Sequence, residues 1–145
     1  MPSVRGCNLP DDLLYDVDNH IWFSEQGDGT VKIGMTTVAT AMAGKLVAFT
    51  PKKAGRSVRA GKSCGTLESG KWVGPAKSAA GGEVVAVNEE LVANPGLAND
   101  DPYEAWLVVL QPEEWDSVKG SLVTGSDVAA PYEAKMDAEG FGGCE

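Results

Sequence analysis

The chain has 145 residues, 43% of them hydrophobic, which suits one globular domain built around a single core. Its 21 acidic and 12 basic residues give a net charge of −9, which argues against nucleic acid and anionic membrane as partners and leaves basic protein surfaces as the electrostatic match. No apolar run approaches the roughly 20 residues of a membrane span, and residues 1–7 lack the hydrophobic stretch of a signal peptide, so a cytoplasmic protein is expected.

Cys7, Cys64 and Cys144 are odd in number and widely scattered, too few for a disulfide framework or a paired-ligand metal site. They are expected to be reduced, with Cys64 a small buried hydrophobe and Cys7 and Cys144 in mobile termini. His20, beside Ile21 and Trp22, reads as a packed, hydrogen-bonded residue. Residues 31–33, 46–49, 84–87 and 106–110 are short, rich in branched or aromatic side chains and mostly bounded by glycine or proline, which predicts strands. Between the first two, Met35, Val38 and Met42 form one apolar stripe of a short helix stopped at Gly44.

Residues 44–49 (Gly-Lys-Leu-Val-Ala-Phe) are echoed by residues 82–87 (Gly-Glu-Val-Val-Ala-Val), each copy followed by a turn rich in glycine and proline. Two copies suit a pair of sheets with approximate two-fold symmetry and apolar faces packed together. Between them lies Gly65-Thr-Leu-Glu-Ser-Gly-Lys-Trp-Val-Gly-Pro75. Leu67 alternates inward between Thr66 and Glu68, and Gly70 is free to take a positive φ, so Lys71 is predicted at a hairpin tip. Residues 99–103 read as a turn rather than a calcium loop, because the alternating ligand spacing is missing. Proline, early acids and a late lysine predict a helix over residues 111–119, and a second is expected over 131–139, followed by a mobile tail at 141–145. The core is expected at about 15–110 and a helical segment at 111–140, all within one unit of 1–145. No nucleophile motif or phosphate loop appears, so no self-sufficient hydrolase or NTPase is expected.

Five ordered blocks carry a family resemblance: Asp18-Asn-His-Ile-Trp22, Val31-Lys-Ile-Gly-Met-Thr36, Leu67-Glu-Ser-Gly-Lys71, the segment 82–89 from Gly82 to Glu89, and the segment 94–103 from Asn94 to Tyr103. With matching spacing, they resemble the H protein of the glycine cleavage system and its lipoate-binding relatives. The resemblance implies a mainly β lipoyl-domain fold (barrel-sandwich hybrid) of two antiparallel sheets with short helices, C-terminal helices included. It implies a carrier rather than an enzyme, with lipoate joined to Lys71, Glu68 and Ser69 in the preceding motif, and Gly70 and Trp72 as surroundings. Trp72 is expected to shield the dithiolane, to mark a docking surface or simply to pack on its neighbour. The arm supplies a cyclic disulfide and, when reduced, two nucleophilic sulfurs.

Departures from the glycine-cleavage pattern point to a particular cargo. The glutamate of the family's His-Glu-Trp is Ile21 here, an apolar residue that cannot pair with a cationic amine. The block Glu-Ser-Gly-Lys-Trp-Val-Gly-Pro, with cysteines at both ends, resembles the lipoate-binding proteins that accompany the heterodisulfide-reductase-like complex of sulfur-oxidising prokaryotes. That likeness implies an arm shuttling sulfur intermediates, with Cys7 and Cys144 as candidate redox partners of the arm. The implied partners are a lipoate ligase or lipoyl synthase, the heterodisulfide-reductase-like complex and sulfur-transferases. The alternatives are glycine cleavage, with glycine decarboxylase, aminomethyltransferase and dihydrolipoyl dehydrogenase as partners, and a lipoyl relay that hands lipoate to other enzymes.

Overall fold

The structure, a computed structural model, describes residues 3–144. A ribbon pairs β1 (Ser3–Val4) with β2 (Cys7–Asn8), turned by Arg5 and Gly6, both at positive φ as a two-residue hairpin turn requires. β3 (Leu14–Asp16), β4 (Ile21–Glu25) and β5 (Val31–Met35) follow as an antiparallel meander. Helix α1 (Thr37–Ala43) leads to β6 (Leu46–Pro51), β7 (Ser57–Val58), β8 (Lys62–Ser69), β9 (Val73–Ser78) and β10 (Gly82–Val87). After α2 (Glu89–Ala93), α3 (Leu97–Asp100) and β11 (Val108–Pro112), the chain ends in α4 (Trp115–Ser121), β12 (Val123–Thr124) and α5 (Ala129–Glu139).

The expected pair of sheets is present as a seven-stranded sheet, ordered β12-β3-β4-β5-β11-β10-β7, and a three-stranded sheet, β6-β8-β9, with the N-terminal ribbon added. The two echoed segments fall in different sheets, one in β6 and the other in β10. Phe23, Ile33, Val84 and Leu110 from the larger sheet meet Phe49, Cys64, Leu67 and Ala76 from the smaller in one buried cluster. Each buried Phe, Ile, Leu or Val among them contributes roughly 1.5–3 kcal/mol relative to exposure.

A second cluster packs Tyr15, Trp22 and Val38 against Tyr132 and Met136 of α5 and against Val4, Cys7 and Leu9. Trp22 lies over Gly34 of the neighbouring strand, where a Cβ would stand 2.3 Å from the indole ring. Gly34→Ala is therefore expected to force Trp22 aside and cost about 1–3 kcal/mol, read as a lower unfolding midpoint in urea.

Several boundaries differ from expectation. Met35 belongs to β5, and α1 begins after Thr36, whose side chain accepts the Ala39 N–H. Residues 111 and 112 finish β11, and α4 starts at Trp115, because Glu114 takes a left-handed conformation (φ 51°) that breaks the chain direction between them. β11 also begins at Val108, two residues later than expected.

The expectation of reduced cysteines in mobile ends is overturned. Cys7 is fully buried and forms a disulfide with Cys144, 137 residues away. Residues 141–144 are held in place: the Phe141 N–H donates to Met136 O at 2.8 Å and the Cys144 N–H to Arg5 O at 3.0 Å. The Arg5 guanidinium, which also pairs with Asp137, donates to Phe141 O at 3.2 Å. Glu145 lies outside the described residues. Cys64 is a buried free thiol as expected, with burial pushing its pKa up to about 12 and leaving it unreactive.

Candidate functional site

β8 alternates as predicted, with Leu67 and Ser69 buried and Thr66 and Glu68 outward. The Ser69 N–H donates to Trp72 O at 2.7 Å, closing a turn whose two central residues are Gly70 and Lys71. Ser69 Oγ also accepts the Lys71 N–H at 3.3 Å, so the buried serine anchors the backbone from beneath. The Glu68-Ser-Gly-Lys71 block thus has a mechanical meaning: an inward serine fixes the turn and an exposed lysine tops it. Gly70 does not take the positive φ expected of it, and a Cβ there would meet nothing within 4 Å. Nothing in the structure explains a glycine at this position.

The close approach falls instead at Gly44. This residue ends α1 at φ 82°, and a Cβ would lie 2.9 Å from Lys71 Cε. The lysine stem therefore lies across the end of α1, a contact that the sequence, which marked Gly44 as a helix stop and as the start of the echoed segment, did not announce.

Next to this turn is a cavity of about 270 Å³. Ile21, Met35, Met42, Leu67, Trp72 and Pro75, with three alanines, form its apolar wall. Trp72 takes its place there by folding over Gly74, where a Cβ would come 2.4 Å from the ring. Packing on a neighbour and walling the cavity are thus one arrangement.

The polar edge comes from Asn19, His20 and Glu139. Glu139 Oε1 lies 2.8 Å from His20 Nε2, and Glu139 Oε2 is 3.8 Å from Lys135 Nζ. His20 Nδ1 is 3.0 Å from the Tyr132 hydroxyl, which is in turn 3.0 Å from Thr36 Oγ1. With the Tyr132 O–H donating to Nδ1, the imidazole carries its proton on Nε2 and donates it to Glu139. His20 also stacks on Tyr132 and sits at φ 57°, an uncommon conformation for a histidine. The carboxylate was not foreseen at this site, because it comes from α5, more than a hundred residues along the chain.

Burial lowers the His20 pKa below its usual value, and this outweighs the opposing pull of Glu139. A folded-state pKa below the unfolded one means the unfolded chain binds the extra proton. Stability from this group is thus complete above the unfolded pKa near 6.5 and declines as the pH falls from there toward the folded value. His20→Gln is expected to flatten the fall in melting temperature on acidification below about pH 6.5, measured beside the parent chain.

An exposed lysine on a rigid two-residue turn, an apolar cavity beside its stem and glycines that leave room for both fit a lysine-linked acyl arm ending in an apolar ring. Comparison with known proteins agrees. Residues 13–135 match the family described as glycine cleavage H-protein. Glycine cleavage system H protein 5 of Aquifex aeolicus is 49% identical over 134 residues, covering 89% of this chain and 90% of that one. H protein 2 of the same organism is 41% identical over 138 residues, 94% and 86% of the two chains. The crystal structure of a glycine cleavage system H protein from Mycobacterium marinum superposes with a TM-score of 0.73 at 34% identity, covering 88% of this chain and 98% of that one.

The chain belongs to the glycine cleavage H-protein family. It is a lipoyl carrier rather than a catalyst, and its cofactor is lipoate held covalently on a lysine.

Proposed function

We propose that Lys71 is the lipoylated residue and that the cavity beside it shelters the loaded end of the arm between visits to partner enzymes. The observation that carries this reading is the placement of Lys71 on a serine-anchored turn, its stem resting on Gly44 next to the apolar cavity wall. Glu68, Ser69 and Trp72 shape the turn, and among the described residues no other exposed lysine stands at the centre of a two-residue strand-to-strand turn. When bound, lipoate supplies a disulfide that opens to accept a group and a dithiol that releases it. The protein supplies rigidity, shelter and a docking surface, and we infer that it works in the cytoplasm with a lipoate ligase or lipoyl synthase.

The names of the relatives support an aminomethyl cargo, exchanged with glycine decarboxylase and aminomethyltransferase. Glu139 favours the same cargo, since it brings a carboxylate to the cavity that position 21 does not supply. A second reading, a sulfur cargo exchanged with a heterodisulfide-reductase-like complex and sulfur-transferases, is favoured by Ile21. This residue is 2% exposed in the cavity wall, and Glu139 is already engaged by His20 and Lys135. A cationic amine left partly buried without a free partner costs several kcal/mol, whereas a soft sulfur tolerates an apolar wall.

One pair of measurements separates the two cargoes: glycine–bicarbonate carboxyl exchange with glycine decarboxylase, and mass detection of a sulfane-sulfur adduct on the reduced arm. An aminomethyl carrier gives robust exchange, which Glu139→Gln lowers several-fold and Ile21→Glu raises. A sulfur carrier gives the adduct and little exchange.

A further inference from the structure

The net charge of −9 conceals a strong division of charge. Residues 45–77 hold eight of the twelve basic residues and only one of the 21 acidic ones, Glu68. All eight are exposed and join no ion pair among the described residues; Lys45 and Lys71 lie toward the end of the small sheet where Leu46 pairs with Ser69, which leaves Lys52, Lys53, Arg56, Arg59, Lys62 and Lys77 as a group of six. Elsewhere Arg5, Lys119 and Lys135 each face a carboxylate.

Backbone hydrogen bonds gather the six at one end of the three-stranded sheet. Turns join the Arg56 N–H to Lys53 O at 3.1 Å and the Lys62 N–H to Arg59 O at 3.0 Å. The Lys52 N–H donates to Cys64 O at 3.0 Å, and Lys77 pairs with Ser63 across β8 and β9. Two acidic residues border this end, Glu83 opposite Ser57 on β10 and Glu113, whose N–H donates to Gly81 O at 2.8 Å beside Arg59 and Ala60. β8 runs from here to the Lys71 turn, about 25 Å away at strand rise per residue.

We propose that this basic end is a docking surface for an acidic segment of a partner protein. An acidic stretch of polypeptide matches a small cationic patch and can stop where the patch stops. An extended anionic surface cannot, because it would press against the strongly acidic remainder of the molecule. The patch has no exposed aromatic residue on which nucleic-acid bases would stack, and its one strand hydrophobe, Val58, is buried and unavailable for insertion into lipid. Docking here leaves the Lys71 turn uncovered, and the proposal does not depend on what Lys71 carries.

The test is fluorescence anisotropy of a labelled oligoglutamate peptide with the full chain, at about 50 mM salt and again at about 300 mM, where screening is much stronger. The expected result is saturable binding that weakens at least tenfold at the higher salt. Binding should also be at least tenfold weaker in the variant Lys52→Glu, Lys53→Glu, Arg56→Glu, Arg59→Glu, and unchanged in Lys119→Glu. Melting curves check folding, and the milder pair Lys53→Gln, Arg56→Gln preserves the comparison if the fourfold variant does not fold. Absence of binding at low salt, or equal binding by the parent and the basic-end variants, overturns the proposal. So does tighter binding, at equal salt, of an oligonucleotide duplex or of vesicles containing phosphatidylglycerol.

Discussion

Lys71→Arg is expected to abolish lipoylation completely. Incubated with lipoate, ATP and a competent ligase, the parent chain gains one lipoyl group, which peptide mass spectrometry places on residue 71, while the variant keeps its unmodified mass. Arginine preserves charge and length, yet its guanidinium stays protonated and cannot form the amide. Because the lysine is exposed on a turn held by Ser69 and the backbone, the melting temperature should stay within about 2 °C, the range of neutral surface substitutions. An adduct that persists in the variant, or that sits on Lys77, would place the arm elsewhere.

Opening the Cys7–Cys144 disulfide should have the largest effect on stability. The bond closes a loop spanning 137 residues in sequence separation. Chain-entropy arguments give about 5 kcal/mol for such a loop, and losses on removing native disulfides fall typically at 2–5 kcal/mol. Cys7→Ser, or reduction of the parent chain, is accordingly expected to lower the melting temperature by roughly 5–15 °C. Since Cys7 is buried with Leu9, Tyr15 and Met136, the serine also introduces a hydroxyl into an apolar cluster. Cys144→Ala separates the two effects, because it removes the bond without adding a polar atom. Equal midpoints for Cys144→Ala and the parent chain would show that the disulfide adds nothing.

The parts legible in the sequence were local ones. The turn bearing Lys71 was readable within a dozen residues from the inward alternation of Leu67 and the Gly-Pro that follows, whereas the serine beneath it showed only in the structure and the positive φ read for Gly70 is absent. The strands around Ile33, Phe49, Val84 and Leu110 announce themselves by branched and aromatic composition. Met35 was ambiguous for a physical reason: it continues the two-residue period of Val31 and Ile33 and also begins the helical stripe of Val38 and Met42. Pro112 suggested a helix start, although a proline closes an antiparallel strand equally well.

What escaped reading depends on distant parts of the chain meeting. Cys7 finds Cys144 only because α5 and the N-terminal ribbon pack on the same cluster around Tyr15 and Trp22. Glu139 reaches the cavity by that same packing. The left-handed backbone of His20 carries no local signature, being held by Tyr132 and Glu139 from the far end of the sequence. Charge division was hidden in plain view, since a whole-chain total averages over it.

The meeting of the two ends makes the molecule close to a ring. The Cα atoms of Cys7 and Cys144 stand 4.9 Å apart, little more than the spacing of adjacent residues. With the ends already adjoined, the order in which the strands are threaded is separable from the place where the chain begins. A peptide link across residues 7 and 144, which gives up β1 and its pairing with β2, and a break in the exposed loop at residues 27–29 would preserve every pairing within the seven-stranded and three-stranded sheets. Start and finish are then matters of synthesis, while the geometry of the Lys71 turn belongs to the closed circuit.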